Sequence, residues 1–203
     1  MAAAAERAGA RPAKATAPSP ADSNPVGWSY GALGLPLAFV ALPLYVQLPH
    51  HYASAYGVPL ALLGTLLLAV RLLDALVDPW IGRWCDRWLD HSPQRARWCA
   101  VLAAVAAAVG FAALFRPPTQ DTVALLAWCG GALVVTYLGY SVLAVLHQAW
   151  GARLGGDDVQ RARVVAWREG LSLAGVLMAS VLPSLAGFGA MTAAFGLALM
   201  FGL

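Results

Sequence analysis

The sequence predicts an all-α membrane protein, a bundle of transmembrane helices. Of its 203 residues 60% are hydrophobic and 11% are charged, whereas a soluble domain carries about 25% charged residues. Its mean hydropathy is +0.67. The charges are also segregated, because Asp, Glu, Lys and Arg are absent from four long stretches: Ser23–Val70, Trp98–Phe115, Thr122–Ala152 and Gly170–Leu203. Apolar segments of about 20 residues cross a bilayer as helices, which satisfy their backbone amides internally, so each stretch holds one or two spans.

The first element is a tail. Residues 1–26 are predicted to be disordered and cytoplasmic, and residues 27–203 to form the transmembrane bundle. The tail repeats Ala and Pro and contains Arg7, Arg11 and Lys14. It lacks the apolar core that a cleavable signal peptide needs.

The charge-free stretches and their flanks predict five complete helices, at roughly Gly27–Leu48, Val58–Arg83, Arg97–Phe115, Thr122–Ala152 and Val164–Leu185. Short connectors that contain Pro, His or Gly separate the predicted helices: Pro49 to His51, a charged run with Pro93, Pro117 with Pro118, Gly155 with Gly156, and Gly187 with Gly189. Only 14 residues follow Gly189. They cover about 21 Å as a helix, less than the roughly 30 Å of hydrocarbon. We therefore expect a truncated sixth helix in a fragment, or one half, of a larger transporter.

The basic residues predict the orientation. The tail and the connectors after the second and fourth helices hold nearly all of them, whereas the opposite side holds only Arg116. Because Lys and Arg collect on the cytoplasmic side, we expect a multi-pass protein of the cell (inner) membrane with a cytoplasmic N-terminus. The net charge of +3 then reflects topology and not a nucleic-acid partner.

Three ionisable residues fall inside the second predicted helix. Arg71, Asp74 and Asp78 lie within about 60° of one another on one face. Each would cost at least about 2.5 to 3.5 kcal/mol facing lipid, so they should face a wet cavity or the bundle interior. Two carboxylates one turn apart can share a proton or a monovalent cation, which relieves their repulsion. Because Pro79 lacks an N–H, it also frees the Ala75 carbonyl as a possible third ligand.

A structural alternative is open for these charges. Arg71 and Asp74 would form a structural ion pair, and Asp78 would cap a loop near the cytoplasmic surface.

The segment RLLDALVDPWIGRWCDR, from Arg71 to Arg87, resembles the second helix and following loop of the glycoside/pentoside/hexuronide:cation symporter family. This melibiose-permease-like family is a branch of the major facilitator superfamily. YGALGLPLAF at Tyr30–Phe39 and WREGLSLAG at Trp167–Gly175 resemble the first and fifth helices. The resemblance implies the N-terminal six-helix half of such a transporter, with its sixth helix truncated, and a missing C-terminal half that completes the alternating-access machine.

The resemblance also implies site residues. Asp74 and Asp78 match the cation site, with Arg71 beside them, and Asp86 and Arg87 match a cytoplasmic gating motif. A solvated loop that only fixes orientation is the alternative for this last pair. Val77 and Leu138 stand where sodium-coupled members have a carboxamide and a hydroxyl, so a proton is favoured over Na⁺ as coupling ion, although both remain open.

Candidate solute-binding residues are Tyr45, Tyr137, Ser141 and Arg168. Tyr137 and Ser141 share a helix face at i and i+4, and Arg168 matches a substrate-lining position of the family. Sugar-binding members carry carboxylates where this chain has Pro36 and Ser141, which does not support a galactoside. Tyr140 is a further source of a hydroxyl. A last set of polar residues is predicted to form a gate or a proton path: His147, Gln148, Arg168 and Glu169. The alternative is that these residues form an interfacial ion pair and anchor a helix end.

These observations predict a cation- or proton-coupled symporter of a small polar solute, with a sugar or glycoside as candidate. We expect no covalent catalysis, no metal and no organic cofactor. One alternative is a membrane-embedded, Mg-dependent transferase acting on a diphosphate, because Asp74, Asp78, Asp86 and Asp90 repeat a DxxxD pair. Another is a non-transporting membrane scaffold. The identity of the solute is open.

Overall fold

The computed structural model describes residues 24–154 and 157–203. All regular structure in these residues is helical, and five of the helical segments are long and apolar enough to cross a membrane. The predicted all-α membrane fold is thereby confirmed. The predicted tail up to residue 23 and the predicted connector at Gly155 and Gly156 lie outside the described residues.

The first span is longer than the sequence predicted. Helix α1 (Asn24–Phe39), a π-helical turn (Pro43–Gln47) and helix α2 (Leu48–Tyr56) follow one another as one span. The predicted connector from Pro49 to His51 was therefore wrong. Pro49 occupies the first turn of α2, where its missing N–H is not needed. The helix ends instead at Gly57, whose φ of 67° suits glycine.

The second span also continues past its predicted end. Helix α3 runs over Leu60–His91, and α4 (Pro93–Leu114) begins almost at once. Asp86 and Arg87 therefore lie in α3, and the prediction that they belong to a loop was wrong. The helix continues through this charged segment because it has a small apolar face. Ile81 and Cys85 on this face pack against α4 and α5 and stabilise the helical turns that carry the charges.

Two long helices complete the bundle. Asp121 caps α5 (Thr122–Arg153) and Asp157 caps α6 (Asp158–Gly202), each accepting a backbone N–H with its side chain. Helix α6 is broken at Gly187, whose φ of 78° and ψ of 173° are not helical. The predicted break at this glycine is confirmed, and it separates residues 158–186 from residues 188–202.

Small residues set the helix packing. A Cβ on Gly31 would lie 3.0 Å from the Trp167 carbonyl carbon, and a Cβ on Gly175 would collide with the Leu35 carbonyl oxygen. Small residues allow such close backbone approach between membrane helices. Helix α1 therefore lies tightly on α6 while α4 lies on α5, and this arrangement places α1, α3, α5 and α6 around the polar residues.

Candidate functional site

The carboxylate of Asp74 is buried and has a hydrogen-bond partner for each oxygen. Its side chain is buried on α3. Its Oδ2 accepts a hydrogen bond of 2.7 Å from Arg71 Nη1, and its Oδ1 accepts one of 2.7 Å from Ser141 Oγ on α5. Both oxygens of this carboxylate therefore have partners, one from its own helix and one from a neighbouring helix.

Asp78 lies one turn further along α3 and is held differently. Its Oδ1 is buried and has no hydrogen-bond partner among the described residues. It lies within electrostatic reach of Asp74 and of Tyr140 on α5. Because α3 continues to His91, Asp78 does not cap a loop, and that part of the structural alternative was wrong. The Arg71 guanidinium pairs with Asp74, so this part of α3 carries two carboxylates and one guanidinium.

Arg71 lies between the buried carboxylate of Asp74 and an open surface. Its side chain is 51% exposed, and its Cζ lies 5.7 Å from the ring centroid of Tyr137, a cation–π geometry. Tyr137 is buried, and its hydroxyl makes no hydrogen bond of normal geometry within the described residues, although Tyr45 lies beside it. Tyr45 is exposed on the π-helical turn. Two predicted solute-binding residues, Tyr45 and Tyr137, therefore lie next to Arg71, and Tyr137 is also an electrostatic neighbour of Asp74.

The other two predicted solute-binding residues are placed differently. The Ser141 hydroxyl is committed to Asp74. Arg168 lies apart from the aspartates, in an open cleft of about 370 Å³ between α1, α5 and α6. Tyr140 lines that cleft and is also an electrostatic neighbour of both aspartates, so it lies between the two groups. The polar residues that line the cleft are Tyr140, His147, Gln148, Arg168, Glu169 and Ser172.

The two predicted gating residues, Asp86 and Arg87, lie on the surface of the bundle. Asp86 and Arg87 are exposed on α3, and in residues 24–154 and 157–203 neither forms an ion pair within 4.0 Å. The ionic contact at this end of the bundle joins Asp90 of α3 to Arg153 of α5, with 2.7 Å between oxygen and nitrogen. Sequence reasoning missed this pair, which joins the C-terminal ends of two parallel helices.

The geometry does not favour the diphosphate-transferase alternative. Asp86 and Asp90 lie about 12 and 18 Å beyond Asp78 along α3, at the usual helical rise. In the part of the chain that the structure describes, no three His, Cys, Asp or Glu side chains converge closely enough to hold a metal ion.

Comparison with known proteins identifies the family. A family model described as MFS/sugar transport protein matches residues 27–202, which is nearly the whole described chain. No curated protein and no solved structure matches the chain.

Proposed function

The chain belongs to the MFS/sugar transport protein family, and on that basis we propose that this transporter is a cation- or proton-coupled symporter of a small polar solute. The observation that carries the proposal is the pair of carboxylates on α3, in which Asp74 is buried and hydrogen-bonded through both oxygens, while Asp78 is half-buried and its buried Oδ1 has no hydrogen-bond partner among the described residues. Placement in the melibiose-permease-like branch is part of the same proposal.

Charge balance gives the coupling step. Asp74 and Asp78 together carry one more negative charge than Arg71 compensates, and buried uncompensated charge is costly within a membrane. Binding of one proton or one monovalent cation neutralises the group. The carrier that holds the solute then reorients when the ion is also bound, and not while the pair is charged, so that ion and solute cross together.

A proton is the favoured coupling ion. Hard cations take several oxygen ligands. Both Asp74 oxygens already accept hydrogen bonds, and the buried oxygen of this group that lacks a partner among the described residues is Oδ1 of Asp78. Val77 and Leu138 stand where oxygen ligands are expected for sodium coupling. One protonatable oxygen is enough for a proton.

The solute is proposed to bind on the open face beside Asp74, where the exposed side chains of Arg71 and Tyr45 present a cation and a hydroxyl group and the buried ring of Tyr137 packs against the guanidinium. A half-exposed arginine inside a membrane helix needs a polar partner or a water-filled cavity.

We propose that a second helical half encloses this face and that the two halves alternate access to it. The N-terminus is proposed to be cytoplasmic, from the distribution of Lys and Arg.

The test is gradient-driven uptake by the protein in liposomes, with a radiolabelled panel of sugars and sugar acids. Wild type should accumulate at least one member under an inward proton gradient, whereas the double variant Asp74→Asn, Asp78→Asn should lose accumulation and still bind that member. Asp158→Asn, in the first turn of α6, is the matched control and should behave as wild type. Unchanged accumulation in the double variant would make the aspartates structural and overturn the mechanism.

A further inference from the structure

Aromatic rings from three chain segments surround the side chain of His51, which is half-buried. The rings belong to Tyr52 and Tyr56 of α2, to Phe115 just after α4, and to Phe188 of α6. Their centroids lie 5.9, 5.6, 5.9 and 4.7 Å, in that order, from the centroid of the His51 ring. We call these five side chains the aromatic box.

The aromatic box joins the break in α6 to a fixed part of the bundle. Phe188 directly follows Gly187, whose φ of 78° interrupts the helix. Its ring stacks on Phe115, with centroids 4.8 Å apart and planes inclined by 15°. Tyr52 is buried, and its hydroxyl donates to the Leu114 carbonyl over 2.9 Å, which attaches α2 to the end of α4. The contacts of Phe188 therefore hold the first turn after the break against these two helices.

The surroundings of His51 suit a neutral imidazole. Its Nε2 is buried and has no hydrogen-bond partner among the described residues. In residues 24–154 and 157–203 no carboxylate lies within 4.0 Å of its ring nitrogens. An imidazolium in the box would therefore have no counter-charge. The titratable and charged groups at the box are basic residues, phenols and a thiol: His50, Tyr52 and Tyr56 of α2, Cys129 of α5 beside Tyr52, and Arg116, whose guanidinium lies beside Gly189 of α6.

Protonation of His51 opposes the closed box. The faces of the aromatic rings attract a cation, but an imidazolium donates from both nitrogens, and the N–H on buried Nε2 would have no acceptor. A buried charged donor without an acceptor costs more than a neutral one, and Arg116 adds a like charge on the α6 side. An imidazole in water takes up a proton near pH 6.5. The charged ring is therefore more stable outside the box than inside it.

We propose that the aromatic box is a proton-sensitive latch between the first span and the part of α6 that follows Gly187. At neutral pH the uncharged His51 ring keeps the box closed. In acid the protonated ring leaves the box, Phe188 loses its contact, and the first turn after Gly187 moves away. One or two residues that absorb a backbone rotation are enough for such a hinge. The latch does not rest on the proposed solute or coupling ion.

Distances between two spin labels test the latch. The labels are attached at Ala55→Cys of α2 and Gly189→Cys of α6, both exposed positions, in the full chain with its three native cysteines replaced by alanine. Electron paramagnetic resonance is recorded in detergent at about pH 7.5 and about pH 5.0, on either side of the ordinary imidazole pKa. We expect a short distance at the higher pH and an added longer distance at the lower one.

Replacement of the two neighbouring histidines shows which of them responds. His51→Phe keeps an aromatic ring in the box and cannot take up a proton, so it should keep the short distance at both pH values. His50 is exposed on the same helix, and His50→Phe is the matched control, which should respond to pH as the labelled parent chain does.

Phe188→Ala gives a reading that does not depend on replacing a histidine. It removes one ring of the box, so the longer distance should appear already at neutral pH, whereas Phe201→Ala, at an exposed position near the end of α6, should keep the short one. No change of distance with pH in the parent chain, a pH response that survives His51→Phe or disappears in His50→Phe, or a short distance alone in Phe188→Ala would overturn the proposal. None of these readings involves uptake, so failure of the proposed ion coupling would leave the result standing.

Discussion

At the residue scale, two neighbouring carboxylates of one helix have unlike surroundings. Helical periodicity predicted that Arg71, Asp74 and Asp78 share a face, and the Arg71–Asp74 hydrogen bond agrees with it. Periodicity within one helix cannot predict which residue of another helix meets them. The contact between Ser141 and Asp74 spans 67 positions in the sequence, and it depends on how α3 and α5 dock.

The Ser141 hydrogen bond should contribute to stability. Ser141→Ala removes a donor from a buried carboxylate, and hydrogen bonds to charged groups are worth about 1.5 to 3 kcal/mol. We expect a lower free energy of unfolding in detergent, measured by denaturant titration. Ser180→Ala is the control, because that exposed hydroxyl bonds only within its own helix, to the Leu177 carbonyl. Equal stability of the two variants would contradict the assigned role of Ser141.

At the element scale, the sequence predicted that each transmembrane span exists, but it misplaced several of the ends of these spans. Charge-free length identified each span, because hydrocarbon tolerates few charges. The ends of α2 and α3 were misplaced for a common reason. Pro49 and the charged run from Arg83 are typical of connectors, but a proline fits the first turn of a helix and a charged helix can continue beyond the hydrocarbon. Hydropathy detects the membrane boundary and not the helix boundary.

The contact between α4 and α5 yields a second stability prediction. A Cβ on Gly139 would lie 2.8 Å from the Ala107 backbone nitrogen, whereas a Cβ on Gly131 of the same helix meets nothing within 4 Å. Gly139→Ala should therefore destabilise the bundle by about 1 to 3 kcal/mol through overpacking. Gly131→Ala should be neutral or stabilising, because alanine favours helix. Thermal unfolding in detergent distinguishes them, and a Gly139→Ala variant as stable as Gly131→Ala would refute this packing.

At the scale of the whole molecule, the polar groups form a series across the bundle. The open face with Tyr45 and Arg71 adjoins Asp74 and Asp78, and Tyr140 lies between these aspartates and the cleft with His147 and Arg168. Residue types and the family resemblance predicted the members of this series. Their division into an aspartate site and a separate cleft could not be predicted, because it follows from the close approach of α1 to α6.

The most direct test of coupling at the aspartates is proton movement itself. Liposomes without an imposed gradient receive the panel solute that the protein takes up, and external pH is recorded. Wild type should draw protons inward with the solute, so the medium becomes alkaline, whereas Asp78→Asn should give no pH change while still exchanging labelled for unlabelled solute. The same alkalinisation by Asp78→Asn as by wild type would contradict the assignment of the coupling ion to this pair of carboxylates.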